Sequence, residues 1–421
     1  MAEDPVKTHD ILAPIIEETY ARLERNEPVM FGEMRKRLEA AFQKTGHRTA
    51  HPGRQRRILV LRLDEIGDNV LNSAFLRGLR KLYPDDRIEL FVKPSVYPLM
   101  EFCPYVDEVL HPQAFESLMF GDLYRWMYHI CDEVLWERHY DICILPRWDT
   151  DETWSALFAM LSGARERIGF SEHVSPMKAQ ICSGMDTFLT QVYMTPPHVV
   201  HEVEKGMYLL HMLGAKEPSG RLELWLGSAD VAAAKAQMQA AGGRPVAVAV
   251  ATREARKSYP PELLAKALSS LLDTDATFFL LGGPEDAAAA DVVAQALPQG
   301  RTVNLAGRTP LRVSAAIVAL SAFYMGGDTG LTHVAAASGR PVVEWFCHAK
   351  DAVTSVNSLY ARFYPWRVPA IVVRPEHAAG LCARQLNVFS EVAGCGSREE
   401  THCIRGIAPD VIAHAARRFL S

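Results

Sequence analysis

Residues 325–343 read MGGDTGLTHVAAASGRPVV. An apolar run ends at the two glycines, an alanine-rich run typical of a helix begins after Gly330, and a second apolar run follows. At a helix start, backbone N–H groups without intrahelical partners and the positive end of the helix dipole favour an anion. Glycines also let the backbone approach a phosphate closely. The pattern predicts a site for a nucleotide diphosphate, built from Asp328, Thr329, Gly330 and His333.

A plain helix cap in an ordinary α/β protein would show the same residues as this first motif. Thr329 is placed either to cap the helix or to donate a hydrogen bond, and His333 lies one turn further on the same face. The motif alone leaves both interpretations open. A second site of the same kind elsewhere in the chain favours the functional one.

That second site is found in residues 57–71, which read RILVLRLDEIGDNVL. A continuous apolar run predicts a parallel strand buried on both faces, and the spacing that follows predicts an amphipathic helix. Asp68 is therefore expected between strand and helix, at the carboxyl end of the first strand, where open parallel sheets bind ligands. An aspartate there either caps the helix or acts as general base for a hydroxyl nucleophile.

Strands alternate with helical segments in both halves of the chain, which predicts two parallel, doubly wound α/β sheets. We expect a helical extension and linker over 1–55, a first domain over 56–215, a second over 216–405 and a final helix over 406–421. Two apolar stripes in the extension predict burial against the first domain or in an oligomer contact. The predicted strands are Ile58–Leu61, Ile88–Val92, Val106–Leu110, Ile142–Leu145, Arg167–Phe170, Val246–Val250, Phe278–Leu281, Thr302–Asn304, Phe323–Met325 and Val342–Phe346.

Composition is that of a globular protein in a reducing compartment. The chain has 421 residues, 48% hydrophobic and 23% charged, which is ordinary for a soluble protein of more than one domain. A net charge of −5 gives no sign of nucleic-acid binding. No apolar run reaches membrane-spanning length, and the polar N-terminus lacks a signal-peptide core. Eight thinly spread cysteines fit the cytoplasm.

Further motifs accompany the two sites in a fixed order. The sequence reads PYVDEV at 104–109, TREARK at 252–257, and LLGGPE at 280–285. It reads RIGF at 167–170 and CIRGI at 403–407. With RLDEIGD at 62–68 and GDTGLTHVAA at 327–336, this order resembles glycosyltransferase family 9, the heptosyltransferase family of lipopolysaccharide assembly. The resemblance covers roughly residues 56–415.

The resemblance implies a GT-B fold, in which two Rossmann-like domains face each other across a cleft. It implies an inverting transfer, with Asp68 as the general base and Lys257 and the helix at Thr329 holding the diphosphate. Because those groups carry the charge, no cofactor or metal ion is required for catalysis. The implied donor is ADP-heptose. The implied acceptor is a lipopolysaccharide core or related glycan at the inner membrane face, which a cytoplasmic enzyme would contact peripherally.

Residue by residue, the resemblance implies a nucleotide-sugar site in the second domain. Thr252 and Lys257 match the family's phosphate contacts, and Arg253 and Arg256 would assist. Glu285 would accept hydrogen bonds from ribose hydroxyls, and Thr309 lies near the adenine. The structural alternatives are that residues 252–257 form a solvated basic loop and that Glu285 is an acid at a helix start. On the acceptor side we expect Arg62, Arg147 and Asp149.

The C-terminal cysteines suggest a structural metal site. By the resemblance, some relatives carry a four-cysteine cluster here that could hold zinc or iron, and its first cysteine begins a Cys-x-x-Cys pair. This chain reads CARQ from Cys382, so one ligand is missing. Cys382, Cys395 and Cys403 would need Cys347 or His402 to complete a site, and buried thiols are the favoured alternative.

Other enzyme classes lack their motifs. The sequence contains no Gly-x-Gly-x-x-Gly after the first strand, no P-loop and no Gly-x-Ser-x-Gly elbow. Two alternatives remain open. One is a sugar-nucleotide epimerase or hydrolase of the same architecture. The other is a non-catalytic GT-B-fold binding protein, against which the intact Asp68, Lys257, Asp328 and His333 argue.

Overall fold

A computed structural model describes residues 7–25, 27, 29–47, 53–112, 120–151, 153–239, 241–254, 257–351, 359–377 and 403–420. The chain forms two compact units. The first comprises residues 1–65, 75–199 and 204–219, and the second comprises 66–74, 200–203 and 220–421. The domain limits predicted from the sequence stay predictions. Among the described helices, none is both long and apolar enough to cross a membrane.

The N-terminal segment forms two helices, α1 (Thr8–Glu24) and α2 (Phe31–Lys44). Each buries one apolar stripe, because residues three and four apart share a helix face. Leu12, Ile16 and Phe42 are fully buried in the core that also contains Phe91 and Phe158 of the first unit. The stripes predicted from the sequence are therefore buried within this unit.

In the first unit the described residues form one sheet of six parallel strands, in the order β3-β2-β1-β4-β5-β6. Four of the strands are nearly all buried, as their continuous apolar runs predict. The strands are β1 (Arg57–Arg62), β2 (Arg87–Val92), β3 (Glu108–Leu110), β4 (Ile142–Leu145), β5 (Glu166–Phe170) and β6 (Gln191–Tyr193). The helices in this part of the chain are α3 (Ile66–Leu71), α4 (Ser73–Leu82), α5 (Tyr97–Met100), α6 (Phe120–Ile130), α7 (Ser155–Leu161), α8 (Pro176–Ile181) and α9 (Glu202–Met212).

The second unit repeats this topology. Its described strands also form a six-stranded parallel sheet, in the order β12-β11-β10-β7-β8-β9. The strands are β7 (Arg244–Ala249), β8 (Ala276–Leu281), β9 (Thr302–Asn304), β10 (Phe323–Gly327), β11 (Val342–Trp345) and β12 (Ala370–Val373). The helices are α10 (Ser228–Gln239), α11 (Pro261–Ser269), α12 (Ala287–Gln295), α13 (Leu311–Leu320), α14 (Gly330–Ala337), α15 (Leu359–Arg362) and α16 (Pro409–Leu420).

Both sheets have the doubly wound strand order, which reverses beside the first strand of each. In the second sheet the reversal lies between β7 and β10, and their carboxyl ends lead into Thr252 and Asp328. Such a reversal point is where ligands bind in this class of sheet. The predicted doubly wound α/β class is confirmed. The short edge strands β6 and β12 were not predicted.

Candidate donor site

The turn between β10 and α14 is built around Tyr324. Thr329 has extended backbone angles and precedes the first turn of α14, but its side chain forms no cap bond among the described residues. Its hydroxyl instead lies 3.1 Å from the Tyr324 hydroxyl. Thr332 donates a 2.8 Å hydrogen bond to the Gly327 carbonyl. The capping role considered for Thr329 is therefore wrong, and the helix start remains available to an anion.

Two glycines bring the helix of Asp68 against this turn. A Cβ on Gly67 would lie 2.6 Å from Cδ2 of His333, and one on Gly330 would lie 2.7 Å from Cγ2 of Ile66. Only residues without side chains permit this approach of α3 to α14. Asp68 belongs to the first turn of α3, and residues 66–74 group with the second unit. The structure thus brings the segment of Asp68 to the predicted diphosphate motif.

Lys257 forms ion pairs with two acids, one of which, Asp328, belongs to that turn. Its Nζ lies 3.0 Å from Oδ2 of Asp328 and 3.0 Å from Oε1 of Glu254. Burial lowers the pKa of Lys257, but the charges of Asp328 and Glu254 outweigh this effect and raise it above its ordinary value. Lys257 is therefore a permanent cation, connected by Asp328 to the start of α14.

His333 is buried in the same region, with 3% of its surface exposed. Burial lowers its pKa to about 4, and the charge of Asp328 offsets only part of that effect. Its Nδ1 has no hydrogen-bond partner within the described part of the chain. The imidazole is consequently neutral at physiological pH, and it contributes a hydrogen-bonding group rather than a positive charge.

Glu344 is a site residue that sequence reasoning missed. It lies in β11, paired in register with Gly326, and is 1% exposed. Burial raises the pKa of its carboxyl well above the ordinary value, the charge of Asp328 adds to this, and Lys257 opposes it. The available signal was a charged residue inside an otherwise apolar buried strand, which is unusual for a strand covered on both faces.

Three of the predicted nucleotide-binding residues line one groove of about 490 Å³. They are Thr252, Arg253 and Glu285, and Arg405 joins them from the C-terminal segment. A groove of this volume suits a small ligand. The Thr252 hydroxyl donates to the Glu254 carbonyl at 2.7 Å, which shapes the loop after β7.

Thr309 and Arg256 are less informative. The Thr309 hydroxyl lies 2.8 Å from that of Ser314, and Thr309 is not among the described residues that line the groove. Arg256 lies outside the described residues.

Two of the three predicted acceptor residues of the first unit, Arg62 and Arg147, contact Asp64. Arg62 is 4% exposed, and its Nε lies 2.9 Å from Oδ2 of Asp64. Arg147 donates to Oδ1 of the same carboxylate and to the Thr150 carbonyl. Asp149, two residues after Arg147, is half-buried. Asp64 thus orients the two arginines, an interaction that sequence spacing could not show.

The predicted metal site is only partly visible. Cys347 and Cys403 are buried at 4% and 6% exposure in the apolar core of the second unit. Cys382, Cys395 and His402 lie outside the described residues. Within the residues that are described, no group of three or more histidine, cysteine or acidic side chains is arranged to hold a metal ion.

Comparison with known proteins identifies the family. Residues 132–392, more than half of the chain, match the model of glycosyltransferase family 9 (heptosyltransferase). Lipopolysaccharide heptosyltransferase 2 of Escherichia coli K12 is 24% identical over 314 residues, covering 73% of this chain and 87% of the relative.

Solved structures share the fold. A family 9 glycosyl transferase from Veillonella parvula superposes with a TM-score of 0.67 and 19% identity, over 88% of this chain and 99% of that one. Heptosyltransferase WaaC of E. coli, solved with ADP, superposes with a TM-score of 0.60 and 16% identity, over 86% of this chain and 99% of that one. The predicted GT-B class is thereby confirmed, and the chain belongs to glycosyltransferase family 9 and is a glycosyltransferase.

Proposed function

We propose that this protein is an inverting heptosyltransferase that moves heptose from ADP-heptose to a glycan acceptor of the lipopolysaccharide type. The observation that carries the proposal is the contact of α3 with α14 through Gly67 and Gly330, which joins the segment of Asp68 to the diphosphate motif. The names of the similar proteins, lipopolysaccharide heptosyltransferase 2 and a heptosyltransferase solved with ADP, support the donor and the acceptor class.

Lys257 and the start of α14 would bind the diphosphate. The lysine is already held at the turn by Asp328, and its raised pKa keeps it charged throughout the reaction. A fixed cation and a helix N-terminus stabilise the charge that develops on a departing diphosphate. Because these groups supply the positive charge, we expect transfer to proceed without a divalent metal ion, and a chelator should leave the rate unchanged.

Asp68 would accept the proton of the attacking acceptor hydroxyl. The hydroxyl oxygen forms the new bond to the anomeric carbon, and the bond to the diphosphate breaks on the opposite face, which inverts the configuration. A neutral His333 beside Gly67 supports this role, because an imidazolium there would weaken the base. A glycolipid acceptor would bring the enzyme to the membrane surface.

Calorimetric titration with ADP, GDP, UDP and CDP tests the donor. We expect selective binding of ADP that is lost in Lys257→Ala, while adenosine binds equally to both proteins. Lys266→Ala is the matched control, since Lys266 is an exposed lysine on α11. Preference of the wild type for another nucleotide would mean that the donor carries that nucleotide instead of ADP. An equal loss of ADP and adenosine binding in Lys257→Ala would indicate that the substitution displaces the loop after β7.

Product analysis with Asp68→Asn tests the chemistry. The variant should bind ADP like the wild type and lose about 10²- to 10⁴-fold in transfer rate, the usual contribution of a general base. Full transfer activity would refute the assignment of Asp68. The same analysis without acceptor distinguishes the alternative reactions, because a hydrolase would release free sugar and an epimerase would return an altered nucleotide sugar.

A further inference from the structure

The C-terminal segment contributes one wall of the nucleotide groove. Residues Cys403–Gly406 form a tight helical turn just before α16. Cys403, Ile404 and Ile407 are buried in the core of the second unit. Arg405, between them, is exposed and lines the groove together with Thr252. The buried apolar neighbours hold the backbone on either side of this exposed arginine.

A buried tyrosine anchors this turn to the groove. The hydroxyl of Tyr259, which is 1% exposed, donates a 2.8 Å hydrogen bond to the Ile407 carbonyl. Tyr259 itself lines the groove, and its ring lies 5.8 Å from that of Trp345. The backbone of the turn that carries Arg405 is therefore held by packing and by a buried hydrogen bond, and a rigid backbone favours the precise placement of a binding residue.

We propose that Arg405 binds a phosphate group of the nucleotide donor, an inference that rests on the proposed function. A guanidinium offers a planar set of donors that matches two phosphate oxygens at once. Within the described lining of the groove, Arg253 and Arg405 supply the positive charge. Neither composition nor the family motifs pointed to Arg405 as a ligand.

Three acids, Glu262, Glu285 and Asp286, line the groove together with the two arginines. Asp286 accepts a 2.9 Å hydrogen bond from the Gly283 amide and so shapes the turn after β8. Glu262 lies in the first turn of α11, where the helix dipole stabilises a carboxylate. Glu285 is the acid proposed for the ribose. The groove thus combines an acid for hydroxyl groups with two guanidinium groups for phosphate.

Titration of Arg405→Ala with ADP and with adenosine tests the inference. ADP should bind about tenfold or more weakly, the usual effect of removing a hydrogen bond to a charged group, while adenosine should bind as to the wild type. Arg405→Lys should show an intermediate loss, because it keeps the charge without the planar geometry. Arg418→Ala, an exposed arginine of the same C-terminal segment outside the described groove lining, is the matched control.

The outcomes separate the two proposals. Unchanged ADP affinity in Arg405→Ala, with Lys257→Ala still weakened, would overturn the role of Arg405 and leave the donor proposal intact. Absence of ADP binding in the wild type would refute the donor proposal itself. Parallel loss of ADP and adenosine, in a variant with the wild-type unfolding midpoint, would show that Arg405 contacts the nucleoside instead.

Discussion

Two clusters of buried charge serve different ends in this molecule. One surrounds Glu89 near the amino ends of the strands of the first sheet, and the other surrounds Asp328 at the carboxyl edge of the second. Both contain a carboxylate with cationic neighbours. They differ in how completely the fully buried carboxylate of each cluster, Glu89 in the first and Glu344 in the second, is matched by hydrogen-bond donors.

In the first cluster the carboxylate is saturated. Glu89 is fully buried, and it accepts hydrogen bonds from Arg57, Arg87 and Arg138 at 2.5, 2.6 and 2.8 Å and another from the Tyr140 hydroxyl. Burial alone would raise its pKa, but these donors outweigh burial and lower the pKa to about 2. An ionised carboxylate with so many donors has nothing further to bind, so the cluster acts on stability.

The second cluster leaves groups unsatisfied. Nδ1 of His333 and Oε1 of Glu344 are both buried without a hydrogen-bond partner among the residues described. Burial favours the neutral form of each, since it lowers the pKa of the histidine and raises that of the glutamate. A buried carboxylate with an unmatched oxygen costs stability, and such a group in a native structure calls for an explanation, a functional role among them. The comparison teaches that the matching of the buried carboxylate, more than the presence of charge, distinguishes the two clusters.

Glu89→Ala should give the largest change in stability. Removal of the carboxylate takes a shared partner from Arg57, Arg87 and Arg138, of which Arg87 and Arg138 still pair with Glu108. Breaking a buried ion pair costs about 3–5 kcal/mol, and the remaining Glu108 pairs place the expected cost at the lower end of that range. Urea unfolding at neutral pH measures the loss. Arg87→Ala is the control, because its side chain is 35% exposed and its removal leaves two arginines in place; it should cost about 1 kcal/mol.

The pH dependence of that loss checks its electrostatic origin. Because the folded pKa of Glu89 lies below its ordinary value of 4.5, its stabilisation is complete above pH 4.5 and disappears as the pH falls toward 2. The stability difference between the wild type and Glu89→Ala should shrink over this range. A difference that stays constant would mean that the substitution acts through lost packing.

Much of the fold could be predicted from the sequence, because it depends on local periodicity. Continuous apolar runs identified the buried central strands, and the glycines after Leu281 marked the turn at the carboxyl end of β8. The strand predicted to end at Met325 continues through Gly326 and Gly327, because glycine also adopts extended backbone angles. The edge strands β6 and β12 were missed, since an edge strand is short and partly exposed and lacks that pattern. Glu108–Leu110 is likewise shorter than predicted, for the same reason.

The residues of the candidate site could be predicted only where their place in the fold follows directly from their position after a strand. Asp328 and Thr252 follow their strands, so their place at the sheet edge could be expected. Glu344 could not be found in this way, because it lies inside the strand β11 and meets the site through its pairing with β10. Arg405 could not be found either, because it reaches the groove from the distant C-terminal segment. The pairing of Arg62 and Arg147 through Asp64 is also a long-range contact that spacing does not encode.

Gly330→Ala should have a smaller effect that is confined to the second cluster. The new methyl group would meet Cγ2 of Ile66 at 2.7 Å and the Gly67 amide nitrogen at 3.2 Å, so α3 must move away. Overpacking of this kind costs about 1–3 kcal/mol, and a shift of about 1 Å at the proposed base would lower the transfer rate about 10²-fold. Gly32→Ala in α2, where a Cβ meets nothing within 4 Å, is the control for both measurements.

Glu344→Gln should have the smallest effect and the opposite sign. The folded protein holds Glu344 protonated, whereas the unfolded chain ionises near its ordinary value of 4.5. The stability contributed by this group is therefore full below pH 4.5 and is lost as the pH rises above it, the reverse of Glu89.

Glutamine keeps the shape of the Glu344 side chain and does not titrate. The variant should match the wild type near pH 4 and be the more stable of the two at neutral pH, because only the wild type must keep this carboxyl protonated there. Urea unfolding curves of the wild type and Glu344→Gln between pH 4 and pH 7 measure this difference. Glu262→Gln, at an exposed glutamate, is the control. A difference that does not change with pH would mean that Glu344 is ionised in the folded protein, and the contrast between the two clusters would then fail.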